Sequence, residues 1–372
     1  DLLSIAADTP HPLWIHLEGG AAGGHHSWED LDELLLATYH LVREHDNVVL
    51  AVGGGVGDPQ RAAALLTGTW AHAYGAPTMP VDAILLGTVT MATHEAAASA
   101  SVKRALAEAQ GHSGWVGRGQ VAGGTTSGRS SLDADIYFLD NSASRCARLL
   151  DTVAGNADAV AAKRGAIIEA LSRTAKPYFG DVADMTYAEM LTRFVELTAL
   201  GRHGRYEDGA WLDPTHRSRF IELLRQAEAR LDPADSGTIA TRFATPDTVD
   251  DPAAAVAALV EAHPSARTAL LHPADAGHFM SVMRRPGKPV PFVPVIDADV
   301  RRWYQSDSLW QSHSDLFEAD QVLIIPGPTA VAGITTVDEP VAHLLDRFEF
   351  AVAESIGAPA DDPQDVATFR LG

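Results

Sequence analysis

Three times within the first hundred residues, a short apolar run ends in glycine and gives way to a helical pattern. The first run is LWIHL, Leu13–Leu17, followed by GGAAGGHHSWEDLDELLL, Gly19–Leu36. The second, Val48–Val52, ends in Gly53, Gly54 and Gly55, after which Asp58 is placed to cap a helix and Pro59 suits its first turn. The third, Asp82–Leu86, ends at Gly87 and Thr88 ahead of another helical stretch. Strand, tight turn and helix in repetition predict parallel α/β architecture. None of the turns has the GxGxxG spacing of a dinucleotide fold, which favours a barrel and a mononucleotide. Three units cannot close an eight-stranded barrel. The expected fold is therefore the C-terminal βα units of a TIM barrel whose earlier strands lie outside this sequence.

In such a barrel the reactive loops sit at the carboxyl ends of the strands. Glycines there let the backbone approach a flat or phosphorylated ligand, since no Cβ intervenes. Gly23 and Gly24 fill that role in the first turn, and Gly54, Gly55, Gly87 and Thr88 are candidates to cradle one phosphate with their N–H groups. His25, at the rim of the first turn, is the candidate proton donor, against the plainer reading of a turn histidine satisfied by backbone. His26 is read as a brace for the loop. Ser27 is expected to cap a helix starting at Trp28. The 16 histidines include no HExxH and no helix-spaced pair with metal-ligand geometry, so no metal site is expected.

The chain has 372 residues, 39.5 kDa, a net charge of -21 and a pI near 5.0. That charge disfavours nucleic acid and anionic membrane as partners. One cysteine, Cys146, excludes an internal disulfide and is consistent with a reducing compartment, so a cytoplasmic location is expected. No apolar stretch is long enough to span a bilayer, and the opening DLLSIAADTP has no signal-peptide pattern.

Further along, GRGQVAGGTTSGRS, Gly117–Ser130, reads as a polar, turn-rich loop: Arg129 contacts a phosphate, or the loop covers the ligand like a lid, or it is a solvent loop held by an ion pair. From Ser142 to Leu231 the apolar spacing is helical, with caps expected near Asp184 or Thr186 and at Asp213–Pro214, and a further helix runs from Asp251 to about His263. After Arg285 prolines interrupt apolar runs, and the tail reads as β-rich, with Trp303, Tyr304 and Trp310 as packing or interface aromatics. The expected division is 1–137 barrel portion, 138–285 helical region and 286–372 β-rich meander or linker.

GGAAGGHHSWEDLDELLL, VVLAVGGGVGDP, LLTGTWAHAYGAPTMPVDAILLGTVTMATHEA, AKPYFGDVADMTYAEML and KPVPFVPVIDADVRRWYQSDSLWQS, in that order, resemble type I fatty acid synthase of the actinobacterial single-chain kind, similar also to the fungal β subunit. The resemblance implies the C-terminal part of an FMN-containing enoyl reductase barrel with the linker that precedes a dehydratase. It implies NADPH as reductant, reduced flavin N5 delivering hydride to a trans-2-enoyl thioester, His25 in the key catalytic role, and FMN phosphate at Gly54, Gly55, Gly87 and Thr88. Glu18 departs from the smaller polar residue expected before the glycines. Implied partners are the acyl carrier protein domain and other domains of the same synthase, in a barrel-shaped homo-oligomer, a hexamer. Two alternatives stand beside this expectation. One is a free-standing flavin oxidase of the nitronate monooxygenase kind, and the other is a non-catalytic scaffold fragment of the multienzyme.

Overall fold

The computed structural model describes residues 2–130, 132–199, 211, 215–232, 241–243, 249–284, 290–305 and 312–357. The chain forms two compact units. One comprises Asp1–Arg148, Leu309–Ser314 and Glu318–Gly372, the other Leu149–Ser308 and Asp315–Phe317.

The first unit begins with α1 (Leu2–Asp8), β1 (Leu13–Glu18), α2 (Leu31–Val42), β2 (Val48–Gly53), α3 (Pro59–Thr67) and β3 (Ala83–Ile84). The strands form a parallel sheet in the order β1-β2-β3, with Leu13 opposite Val48 and Ala51 opposite Ala83. In the middle strand Val48, Leu50, Ala51 and Val52 are buried, as expected of a run apolar on both faces. Asp58 caps α3 by accepting from the N–H groups of Gln60 and Arg61, Pro59 takes the first turn, and Gly68 (φ 80°) closes the helix in the left-handed region. The cap of α2 is Asp30, whose carboxylate accepts from Asp32 N at 2.8 Å and Glu33 N at 3.1 Å, so the helix starts at Leu31 rather than Trp28. Ser27 accepts from Glu29 N at 3.3 Å outside the helix.

The third repeat differs most from expectation. Its strand has two residues, and a 3-10 turn, Thr88–Ala92, follows it. The α-helix comes later, as α4 (Ala100–Glu108) with Ser99 as its cap. Among the described residues the parallel sheet is three strands wide and open, so the TIM-barrel expectation is corrected: this is a largely helical chain carrying two short open sheets.

The second sheet is antiparallel, β4 (Val121–Ala122), β5 (Thr125–Arg129) and β6 (Asp135–Leu139). Its first two strands, β4 and β5, occupy the segment read as a polar loop. Thr125, Thr126 and Ser127 are fully buried there because their hydroxyls are partnered. Thr125 donates to Ala122 O at 3.0 Å and Thr126 to Gln120 O at 2.7 Å.

The helix α5 (Ser142–Asp151) follows, then α6 (Ala157–Ala162), α7 (Arg164–Leu171), α8 (Tyr187–Thr198), α9 (Thr215–Leu231), α10 (Pro252–Ala262), α11 (Pro273–Met283) and α12 (Val300–Gln305). Thr186 and Glu189 make a reciprocal capping box on α8, and Asp251 caps α10. The second unit's core is aromatic: Phe194 stacks on Phe220 with centroids 5.6 Å apart, and Phe279 on Phe292 at 5.6 Å. Its one-percent-exposed carboxylate, Asp275, accepts from Tyr187 Oη at 2.5 Å, Gln226 Nε2 at 2.7 Å and Arg230 Nε at 2.9 Å, tying α8, α9 and α11 together. Tyr304 is buried and Trp303 packs against this core.

The tail is not β-rich. Among the described residues beyond 290 there is no strand, and the regular elements include α12, two 3-10 turns and α13 (Val341–Ser355). Pro291, Pro294, Pro326 and Pro328 remove ladder donors from the runs that read as strands, and an isolated bridge from Val293 to Tyr178 is what remains. Asp213–Pro214, Trp310 and the segment 285–289 lie outside the described residues.

Candidate functional site

A cleft of about 900 Å³ opens in the first unit, at the carboxyl ends of its parallel strands. Gly23, Gly24, His25, Gly55, Gly87 and Thr88 all line it, so the sequence does converge its three turns on one place. Gly54 lines a second, smaller cavity of about 270 Å³, together with Gly55, Arg61 and Trp115. Arg61 is ion-paired with Asp32, which also accepts from Tyr74 Oη at 3.0 Å.

What the glycines accommodate is chiefly the chain itself. The segment 325–333 returns across the strand ends and meets each turn. A Cβ on Gly23 would lie 2.9 Å from Gly327 N, one on Gly55 2.6 Å from Thr329 Oγ1, and one on Gly57 2.4 Å from Ala330 O. Thr88 Oγ1 accepts from Gly327 N at 2.9 Å, and Thr329 Oγ1 donates to Gly55 O at 2.9 Å. Gly54 and Gly55 also need their left-handed backbone, φ 83° and 87°. Gly24 and Gly87 are the exceptions: a Cβ on either would meet nothing within 4 Å, Gly24 needing glycine for its φ of 89° and Gly87, with φ -104°, for neither reason.

His25 is exposed and joins β6 through an isolated bridge to Ile136. The neighbouring His26 is the anchored ring. It stacks on Tyr137 at 3.8 Å with an interplanar angle of 10°. Its Nδ1 is 2.7 Å from Ser27 O, so that nitrogen carries the proton, and Nε2, 3.2 Å from Ser127 Oγ, accepts. Burial pulls the His26 pKa below its ordinary value, against the opposing pull of the Ser27 carbonyl, which keeps the ring neutral near pH 7. Beneath it, Asp135 accepts from Arg118 at 2.8 and 2.5 Å, from Trp28 Nε1 at 3.0 Å and from Arg129 at 3.3 Å. The Arg118 guanidinium, foremost among these donors, holds the carboxyl well below the usual range. Arg129 also pairs with Asp133 at 3.3 Å, which is the ion-pair reading of that residue, on a buried strand rather than a solvent loop. Sequence reasoning missed Asp135 and Tyr137. The signal was the DIYFL run at Asp135–Leu139, which reads as a strand on its own.

Among the described residues no group of three or more His, Cys, Asp or Glu side chains is placed to hold a metal ion. None of the described helices is long and apolar enough to cross a membrane.

Residues 12–345 match the family described as fatty acid synthase subunit beta/Fas1-like, helical. The chain is 35% identical over 371 residues to a fatty acid synthase subunit beta of Gibberella zeae, covering 93% of this chain and 17% of that protein. It is 31% identical over 377 residues to the subunit beta of Aspergillus oryzae (95% and 18%), and 30% over 368 residues to that of Saccharomyces cerevisiae (93% and 18%). The chain thus spans less than a fifth of the length of the curated relatives it matches. The matched family is described by its helices, in agreement with the open sheets seen here, and this corrects the more specific resemblance. The assignment to an FMN-dependent enoyl reductase barrel is overturned, and with it the oxidoreductase activity and the FMN and NADPH cofactors. The relation to fatty acid synthase stands: the chain belongs to the fatty acid synthase subunit beta/Fas1-like helical family.

Proposed function

We propose that this chain is a structural segment of a fatty acid synthase β-type polypeptide, holding neighbouring modules in place rather than performing a redox step. The observation that supports it most is the match over 12–345 to a helical family, by a chain equivalent to 17–18% of its relatives. The use of Gly23, Gly55, Gly57 and Thr88 to seat the chain's own segment 325–333 supports the same reading. In this reading His25, Gly23, Gly24, Gly54, Gly55, Gly87 and Thr88 are lip and turn residues of the first unit. The whole polypeptide would carry an acyl carrier domain and assemble in the cytoplasm as a barrel-shaped homo-oligomer, a hexamer.

The test perturbs the second unit's core in the complete polypeptide. Phe194→Ala removes a fully buried ring stacked on Phe220. The proposal predicts that assembly mass, read by sedimentation, and every partial activity fall together. Loss of one partial reaction with the assembly mass unchanged would overturn it.

A further inference from the structure

Part of one wall of the cleft belongs to a segment with no buried side chain of its own. Between Ile334, 5% exposed, and Leu344, 1% exposed, no residue is buried. The chain from 335 to 343, whose last three residues are the first turn of α13, thus lies between two apolar anchors and has none of its own. Val341, in this stretch, lines the cleft, as do Thr93 and Glu95.

Four contacts zip the segment to 92–103. Asp338 N donates to Ala92 O at 2.8 Å, His94 N to Glu339 O at 2.8 Å, and Val341 N to the Glu95 carboxylate at 2.9 Å. The fourth is an ion pair: Lys103 Nζ lies 2.9 Å from Asp338 Oδ1. Lys103 is an unusual lysine, its side chain 8% exposed on α4, while Asp338 is 55% exposed. Asp338 has φ 61°, a left-handed conformation outside glycine that persists where surrounding contacts impose it. His94 Nδ1 stands 3.5 Å from the same carboxylate, and Glu339 is turned aside by Arg347 at 2.6 and 2.8 Å, leaving Lys103 as the buried cation facing Asp338.

Segments with few buried apolar contacts and solvent-reachable hydrogen bonds open locally at low free energy. We propose that 335–343 is an electrostatically latched strap: it closes one wall of the cleft, opens by local unfolding between Ile334 and Leu344, and is held shut by the Lys103–Asp338 pair.

Amide exchange on the full chain tests this. The amides of His94, Asp338 and Val341 report the zipper. Leu85 N, which donates to Val52 O at 2.8 Å, and Leu139 N, which donates to Ile324 O at 2.9 Å, report the sheets. The zipper amides are expected to exchange at least about tenfold faster than the sheet amides. Lys103→Met and Asp338→Asn should each speed the zipper amides about fivefold, the order expected of an ion pair of this exposure, with Leu85 and Leu139 unchanged. Raising salt should speed them in the native chain and do nothing in Lys103→Met. Asn keeps the left-handed backbone, so Asp338→Asn isolates the charge and, being at an exposed position, remains informative if Lys103→Met fails to fold. Equal exchange of zipper and sheet amides in the native chain overturns the strap. Unchanged zipper exchange in Asp338→Asn, or an equal acceleration of all amides, overturns the latch.

Discussion

Replacing Gly57 with alanine separates two meanings of a glycine-rich turn. If the turn exists to approach a ligand, a methyl there disturbs binding and leaves the empty protein intact. If it exists to seat 325–333, the methyl destabilises the protein with nothing bound. The added Cβ would lie 2.4 Å from Ala330 O, 2.5 Å from Ala330 Cα and 2.8 Å from Ala330 C. Ordinary contact is about 3.5–4.0 Å, so two backbone segments must separate by roughly 1 Å. Overpacking costs about 1–3 kcal/mol, and the upper end applies because neither partner is a side chain that can swing away. With an m-value of about 3 kcal/mol/M, a loss of about 3 kcal/mol moves the urea midpoint down by ~1 M. The control is Gly87→Ala at another strand end, where nothing lies within 4 Å. That substitution should stay within about 0.5 kcal/mol of the native chain. Deuterium uptake of peptides covering β2, followed through the urea series, reads the first unit by itself. An unmoved midpoint in Gly57→Ala, or an equal loss in Gly87→Ala, refutes the packing argument.

Other expectations follow from the site and the core. His26 has a depressed pKa, so the unfolded state takes up a proton first as pH falls below about 6.5; native stability should decline from there downward, and His26→Gln, by calorimetric melting at pH 7 and pH 5, should remove that decline. Asp135 is also depressed, so its contribution is present above about pH 3.9 and is lost on further acidification; Asp135→Asn should cost about 2 kcal/mol at neutral pH in urea titrations and flatten the acid limb. Phe194→Ala should cost about 4 kcal/mol in the second unit, read by deuterium uptake of the α8 and α9 peptides.

The first two strands and their flanking signals were legible because they are local. LWIHL and VVLAV carry their own propensity, and Asp58–Pro59 carries its own cap. Asp30 was harder: it and Ser27 are both capping residue types three positions apart, and what separates them is that Asp30 reaches two helix N–H groups while Ser27 reaches Glu29 N alone. The β5 strand, TTSGR, looked like a loop because its residues are polar, and it is a strand because other parts of the chain satisfy those hydroxyls. The glycines misled for a related reason. Close approach of a ligand and close approach of backbone demand the same absent Cβ, and the backbone in question, 325–333, is roughly 270 residues away from Gly55. The tail's Val- and Ile-rich runs suggested sheet, yet a strand needs N–H donors that its prolines do not supply.

The central claim is that the chain supplies structure to a larger synthase and not a reacting group. The most direct test is His25→Ala in the complete polypeptide, with each partial reaction of fatty acid synthesis, enoyl-thioester reduction included, measured beside the assembly mass. The account predicts partial activities and mass indistinguishable from the native polypeptide, since His25 is an exposed lip residue. A selective collapse of one partial reaction, with mass unchanged, would contradict it.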